Sequence, residues 1–530
     1  MDRWLLHSAR AGVIGVTFCA VFAGLSGCGG GDEEPVPAPP APIETLAAVT
    51  QVSGWAAQYP DPNNASAVLP PTGGEGAPAS NIYVVSTRAQ LIDALANKNS
   101  PTYASSPTEA AKEPKIVYIK GAIYGTDLGN GTFATESTYT AANSTCAKWD
   151  FNLYLKSFDT AYMADLAIKV AAGDTAAIAE NTKIKAQGSA RTNCANVQKA
   201  QIKFGIPSNT TVLGIGTDAK IVDGYFEINA KTNIVIRNIE FEAPQDRFMA
   251  WSPNDGPTGN WNARYKAIQV VTGTRLWFDH LTLSDGAHPD SAEPVIFGKH
   301  IIRHDGLIDV EDGTDYVTVS YNIFKNHDKT FMIGSGDGKG DRDRGKNHIT
   351  FFSNMFDNSQ ERSPRVRFGQ VHVYNNFFRA KVDDANYPVI SRTLGGGHYF
   401  IGMGIESMIL SERNAFQYDG QGADEGIIVD NFKGYQFVDV GSWFNGKALD
   451  SAVINADAKA KYDKTKAAEI AAAAAATPPR AVEDWATHEY TNEIGWKPPY
   501  AYETAKTDAG IRKHVLDNAG AGKLSITAPQ

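Results

Sequence analysis

Cysteine is scarce in this chain, with four residues in 530. Cys19 and Cys28 lie near the N-terminus, so the rest of the chain holds one possible pair, Cys146 and Cys194. That excludes a dense disulfide framework as the source of stability. Basic residues are outnumbered, 49 Lys and Arg against 59 Asp and Glu, for a net charge of −10. Such a balance does not neutralise phosphates, which excludes nucleic acid as the main partner. An acidic ligand is not excluded, because a few arginines in a groove outweigh the global sign. Hydrophobic residues make up 42% of the chain. That is enough for a real core and excludes wholesale disorder. The length allows one large domain or several small ones.

The apolar run 11–25 is shorter than the ~20 residues of a membrane-spanning helix. Arg3 and Arg10 precede it, and it ends in Leu25-Ser26-Gly27-Cys28, the layout of an export signal. The ending resembles the lipobox of bacterial lipoproteins, in which Cys28 becomes the lipidated N-terminus. An ordinary signal peptide cut at a small-residue site is the alternative. On the lipobox reading, residues 1–27 are removed and the net charge becomes one unit more negative. The protein is then secreted and anchored at the bacterial outer membrane or cell surface, touching the membrane only through Cys28. Residues 28–53 contain GGGDEEPVPAPPAP, which cannot bury a core and reads as a flexible tether. The folded domain is expected over 54–530. In an exported chain, Cys146 and Cys194 favour a disulfide, with two buried free thiols as the alternative.

Six segments align from about residue 205 onward. They are NIVIRNIEF ending at Phe241, LWFDHLTL at Leu283, VTVSYNIF at Phe324, ITFFSNMF at Phe356, VHVYNNFF at Phe378 and ILSERNAF at Phe416. Most open with the period-two alternation of a strand. One column holds Asn322, Asn354, Asn376 and Asn414, and successive endpoints are 42, 41, 32, 22 and 38 residues apart. The shortest spacing matches one coil of a parallel β-helix, and the longer ones imply loop insertions. In such a solenoid, columns of Asn and Phe stack from coil to coil. Its ends require caps. A strand and amphipathic helix over Tyr83–Leu95 suit the N-terminal end. Helical insertions are expected near 141–200 and 450–480, the second an Ala-rich run with no evident chemistry. The tail 496–524 should pack back along the barrel.

Three blocks carry a family resemblance. Trp277-Phe278-Asp279-His280 with Ser284-Asp285-Gly286 is the first. The second is His304-Asp305-Gly306-Leu307-Ile308-Asp309 with Asp315-Tyr316-Val317-Thr318-Val319-Ser320 and His327-Asp328-Lys329-Thr330. The third is Glu361-Arg362-Ser363-Pro364-Arg365-Val366-Arg367-Phe368-Gly369. IPSNTTVLGIG from Ile206 and AGAGKL from Ala519 fit as well. Together these resemble the pectate lyases of polysaccharide lyase family one, over about 70–524. The resemblance implies a right-handed parallel β-helix, here all-β with a helical cap and peripheral helical insertions. It implies a monomeric enzyme that cleaves polygalacturonate, an α-1,4-linked galacturonan, by β-elimination to 4,5-unsaturated oligogalacturonides. Two alternatives are a pectin lyase acting on methylated pectin and a non-catalytic β-helix that binds polysaccharide.

The chemistry accounts for the residue types. Elimination removes the C5 proton of a uronate, and that proton is poorly acidic beside a charged C6 carboxylate. Cations around the carboxylate stabilise the developing anion. Asp305 and Asp309 supply oxygen ligands suited to Ca²⁺. Lys329 and Arg367 supply positive charge for substrate binding, with Arg367 able to grip a carboxylate bidentately. The resemblance implies Arg362 as the catalytic base. Arginine is ordinarily protonated, so this role calls for a site crowded with cations, which disfavour the charged form, and for an alkaline optimum. Asp279, His280, His304 and His327 read as buried hydrogen bonders. One position departs from the family: counting back from Trp277, with Trp261-Asn262-Ala263 holding the alignment, Lys266 stands where an aspartate calcium ligand is usual. Either calcium still binds, weakly, through Asp305 and Asp309, or the Lys266 ammonium stands in for the ion.

Overall fold

The computed structural model describes residues 41–382 and 397–529. The segment read as an export signal, with Cys28, and the first part of the tether lie outside the described residues. The chain winds through three parallel ladders, the arrangement of a parallel β-helix. The third ladder has ten strands among the described residues, from Ile82–Val85 to Gln436–Val440. The first ladder joins Glu240–Glu242, Thr282–Ser284, Phe377–Lys381 and Ala415–Asp419 through the leading halves of Ile323–Ile333 and Met355–Glu361. The second runs through Tyr225–Asn229, Ile268–Val271, Gly306–Glu311, the trailing half of Ile323–Ile333, Arg365–Val366 and Ile401–Met403.

The repeat read from the sequence is the coil. Phe241 pairs with Leu283, Leu283 with Phe324, Phe324 with Phe356, Phe356 with Phe378 and Phe378 with Phe416. Each unequal spacing is therefore one turn, with its excess looped out. The four Phe rings stack at 5.0, 4.8 and 4.6 Å between centroids, close to the ~4.8 Å between strands. The Asn column forms a continuous chain. The amide of Asn322 donates to Asn354 Oδ1 at 3.0 Å, Asn354 to Asn376 at 2.9 Å and Asn376 to Asn414 at 3.1 Å. The residues just before them, Tyr321, Ser353, Asn375 and Arg413, all have φ between 48° and 55°. That left-handed corner costs a non-glycine residue about 1 kcal/mol, and it turns the following Asn into the interior, where its hydrogen bonds offset the cost.

The ends are capped as a solenoid requires. Thr87 caps the helix Arg88–Leu95, which buries Leu91, Ala94 and Leu95 over the first coil. At the other end, Ile454 and Ala458 of the Ala-rich helix Ser451–Ala475 join the main core. This helix does more than decorate the surface; the spacing Ile454, Ala458, Tyr462 puts one face against the last coils. Helices between Phe151 and Ile202 form the other insertion, and Cys146 and Cys194 are bridged. The tail runs back along the barrel, where the Gly522 and Ala521 amides donate to Asn238 and Thr282. The last part of the segment read as tether also docks, with the Val49 amide donating to Tyr321 at 2.9 Å and Ile43 bridging to Ala505.

Candidate active site

In Gly306–Glu311, Ile308 and Val310 point into the core, so by strand alternation Asp309 and Glu311 point outward. Neighbouring coils set further charged residues beside them. Gly306 pairs with Lys329, Lys329 with Glu361 and Met332 with Arg365. Arg362 follows Glu361 at the strand end, and Lys266 leads into Ile268–Val271. The second ladder thus brings Lys266, Asp305, Asp309, Lys329 and Arg362, almost a hundred residues apart in sequence, onto one outer patch. Gly306 is required here by close approach, since a Cβ would meet Asp309 Oδ1 at 2.4 Å.

Lys266 stands between the two aspartates. Its Nζ is 2.6 Å from Asp305 Oδ2 and 3.6 Å from Asp309 Oδ2. Burial works against the Lys266 charge, but Asp305 and Asp309 outweigh it and hold the ammonium above its ordinary range. Burial pushes Asp305 up, while Lys266 and Lys329 more than reverse this and leave it below the usual carboxylate range. Asp309 lies deeper, and burial, against the pull of Lys266, raises it to about 7. The Lys329 side chain makes no ion pair or hydrogen bond among the described residues, so its ammonium is uncommitted.

Two arginines depart from expectation. Arg362 is not surrounded only by cations. Its Nε donates to Glu361 Oε1 at 3.0 Å. Burial disfavours its charge, but Glu361, with Tyr399, Asp309 and Asp328, raises it above its ordinary value. The guanidinium is therefore firmly charged at rest, the reverse of the expected depression. Arg367 already holds a carboxylate. Its Nε donates to Asp337 at 3.0 Å and its Nη1 to the Gly334 carbonyl at 2.8 Å, while Lys433 reaches Asp337 from the other side. That leaves part of the fork spent within the protein. The Asp337 and Glu361 partners were not singled out from the sequence. Glu361 stands next to Arg362, which was the available signal, whereas nothing in sequence links Arg367 with Asp337.

Behind Asp305 lies a buried network. His304 Nδ1 is 2.9 Å from Asp290 Oδ1, and His327 Nδ1 is 2.5 Å from Asp285 Oδ1. Burial lowers the His304 imidazolium, but Asp285 and Asp290 raise it to about 9. Asp279 is likewise buried, accepting from Arg237, Ser320 and His280. Asp290 engages both the amide and the imidazole of His304 and so fixes the residue before Asp305. Asp279 and His280 instead pair with each other at the end of a third-ladder strand. All are buried, as expected of hydrogen bonders.

Asp285, Asp290 and His304 bring ligand atoms within 4.8 Å of one another, a spacing able to hold a metal, although His304 Nδ1 is engaged with Asp290. At Asp305 and Asp309 the donor set fits Ca²⁺ poorly. Calcium takes six to eight oxygen ligands, and here an ammonium fills the space between the two carboxylates.

The chain is similar to known proteins over most of its length. A family model described as pectate lyase matches residues 123–524. The pectate lyase of Bacillus subtilis (strain 168) is 33% identical over 454 residues, which cover 86% of this chain and 90% of that protein. Pectate lyase A of Dickeya chrysanthemi is 30% identical over 458 residues, covering 86% of each. A solved structure of a pectate lyase bound to a hexasaccharide aligns with a TM-score of 0.68 at 32% identity, covering 89% of this chain and 97% of that one.

Proposed function

Because the chain belongs to the pectate lyase family, we propose that the patch from Lys266 to Arg362 performs β-elimination on polygalacturonate. The chain is an eliminative polysaccharide lyase. The observation that carries the site assignment is the convergence of Lys329 and Arg362 beside the Lys266–Asp305 pair on consecutive coils.

In this reading the uncommitted Lys329 ammonium binds a uronate carboxylate, and Arg367 contributes the donor left over from Asp337. Arg362 in its neutral form takes the C5 proton. The C5 electron pair forms the C4–C5 double bond, the glycosidic C4–O bond breaks, and the departing oxygen takes a proton from water. Fixed cations around the carboxylate stabilise the anion as it develops. Calcium, which the family resemblance implies, enters no step here, because Lys266 occupies the place between Asp305 and Asp309. The cationic patch suits free carboxylates better than methyl esters. The export signal and the LSGC ending at Cys28 support an exported, lipid-anchored enzyme.

The test is the rise in ultraviolet absorbance from the C4–C5 double bond on mixing with polygalacturonate, run beside highly methylated pectin. Absorbance on neither substrate would leave a polysaccharide-binding β-helix. Absorbance only on the methylated substrate would make it a pectin lyase.

A further inference from the structure

Lys266 lies within salt-bridge distance of both aspartates of the patch, at 2.6 Å from Asp305 and 3.6 Å from Asp309. Charge counting shows what this does. With both ionised, Asp305 and Asp309 carry two negative charges. Lys266 pairs with them, and with the nearby Lys329 ammonium the four charges sum to zero. An aspartate at position 266 would set three carboxylates against one ammonium, an imbalance of two that suits a divalent ion. With lysine present, an ion entering between Asp305 and Asp309 would have to expel a buried ammonium and leave it beside a dication.

The backbone gives that lysine little room to withdraw. On one side Tyr265 is 1% exposed, and its hydroxyl donates to the Ala195 carbonyl at 2.5 Å. Ala195 belongs to the helix Gln187–Ile202 of the insertion, tied by the Cys146–Cys194 bridge. On the other side the Ala267 amide donates to the Gly306 carbonyl in the second ladder. The lysine Cα is thus clamped between the insertion and the coil.

We propose that the Lys266 ammonium is the resident cation of this site and replaces a divalent ion, so that the enzyme eliminates polygalacturonate without metal. The proposal rests on the reading of the chain as a pectate lyase. A single charge stabilises the developing anion less than a divalent ion does, so turnover is slow but indifferent to chelators.

Two measurements on the full chain test it. The first is calorimetric titration of chelator-treated protein with calcium chloride to about 1 mM, the weak end of calcium sites. Wild type should take up no calcium at this site, whereas Lys266→Asp should bind it. Calcium binding by wild type that is lost in Asp309→Asn would overturn the proposal. So would a folded Lys266→Asp that binds none, since the lysine would then not be what stands in the ion's place. The second is the ultraviolet assay on short oligogalacturonates with and without chelator. Wild-type rates should agree within about twofold, while Lys266→Asp should lose about a hundredfold in chelator, on the scale of removing a transition-state charge contact. Wild-type activity abolished by chelator and restored by calcium would refute it. If wild type has no lyase activity at all, the functional reading fails, and the calcium titration still decides whether Lys266 excludes the ion.

Discussion

Nε of Arg362 donates to Oε1 of Glu361 at 3.0 Å, and Glu361 pairs across the ladder with Lys329. A carboxylate therefore sits among the cations of the site and keeps the guanidinium charged in the free protein. The form able to accept a proton is a minor species, and several consequences follow from its scarcity.

If Arg362 takes the C5 proton, Arg362→Lys should lose about a thousandfold in turnover, within the range of general-base removals. Binding of oligogalacturonate should stay within a few-fold of wild type. Single-turnover assays beside calorimetric binding separate the two effects, and near-normal turnover in a folded variant removes Arg362 from the role.

The pH profile should rise steadily on the alkaline side. A base whose pKa lies above the working range gains active form with every unit of pH, so kcat/KM should climb without a plateau below about pH 10. Glu361→Gln removes the negative charge that favours the guanidinium. It should shift the rising limb to lower pH by about one unit. An unshifted profile would mean that Glu361 does not control the Arg362 proton.

Stability should move the other way. The His304 imidazolium is raised to about 9 by Asp285 and Asp290 against the opposing effect of burial. Because its folded value exceeds the ordinary 6.5, its contribution is full below pH 6.5 and is lost as the pH rises through about 9. The thermal midpoint should fall across that window, and His304→Gln should flatten the fall. The enzyme would then gain rate and lose stability over the same alkaline range.

Asn354 accepts from the Asn322 backbone and side-chain amides at 2.9 and 3.0 Å. Asn354→Ala strands both donors and takes a donor from the Val319 carbonyl and from Asn376 Oδ1. The expected destabilisation is about 3 kcal/mol or more, the scale of buried polar groups left unpaired. A denaturation midpoint unchanged from wild type would show that the column is not a stabilising element.

Cys28→Ser should move the protein from the membrane fraction to the soluble extract, since one residue would hold the acyl chains. A serine variant that stays with membranes would refute the lipobox reading.

Much of the architecture was legible in the sequence. Each coil of a solenoid repeats the same environments, so a recurring Phe or Asn at the strand end marks a fixed place in the turn. The uneven spacings from Phe241 to Phe416 each proved to be one coil. The motif residues Asp305, Asp309, Lys329 and Arg362 were visible through the blocks that carry the family resemblance, and one stack of neighbouring strands brings them together. The Ala-rich helix was harder to place, since alanine gives little contrast between a buried and an exposed face.

The charge state of the site was decided only in three dimensions. Neighbours along a strand point to opposite faces, so Glu361 and Arg362 should face apart. Arg362 instead adopts φ 64° as the chain leaves the strand, and the alternation breaks, setting the carboxylate against the guanidinium. Arg367 meets Asp337 across 30 residues of chain, a pairing that no local pattern announces. The sequence placed Lys266 near the aspartates by register alone. Whether its ammonium points between them depends on how the insertion and the second ladder clamp residues 265 and 267, and that is a property of packing.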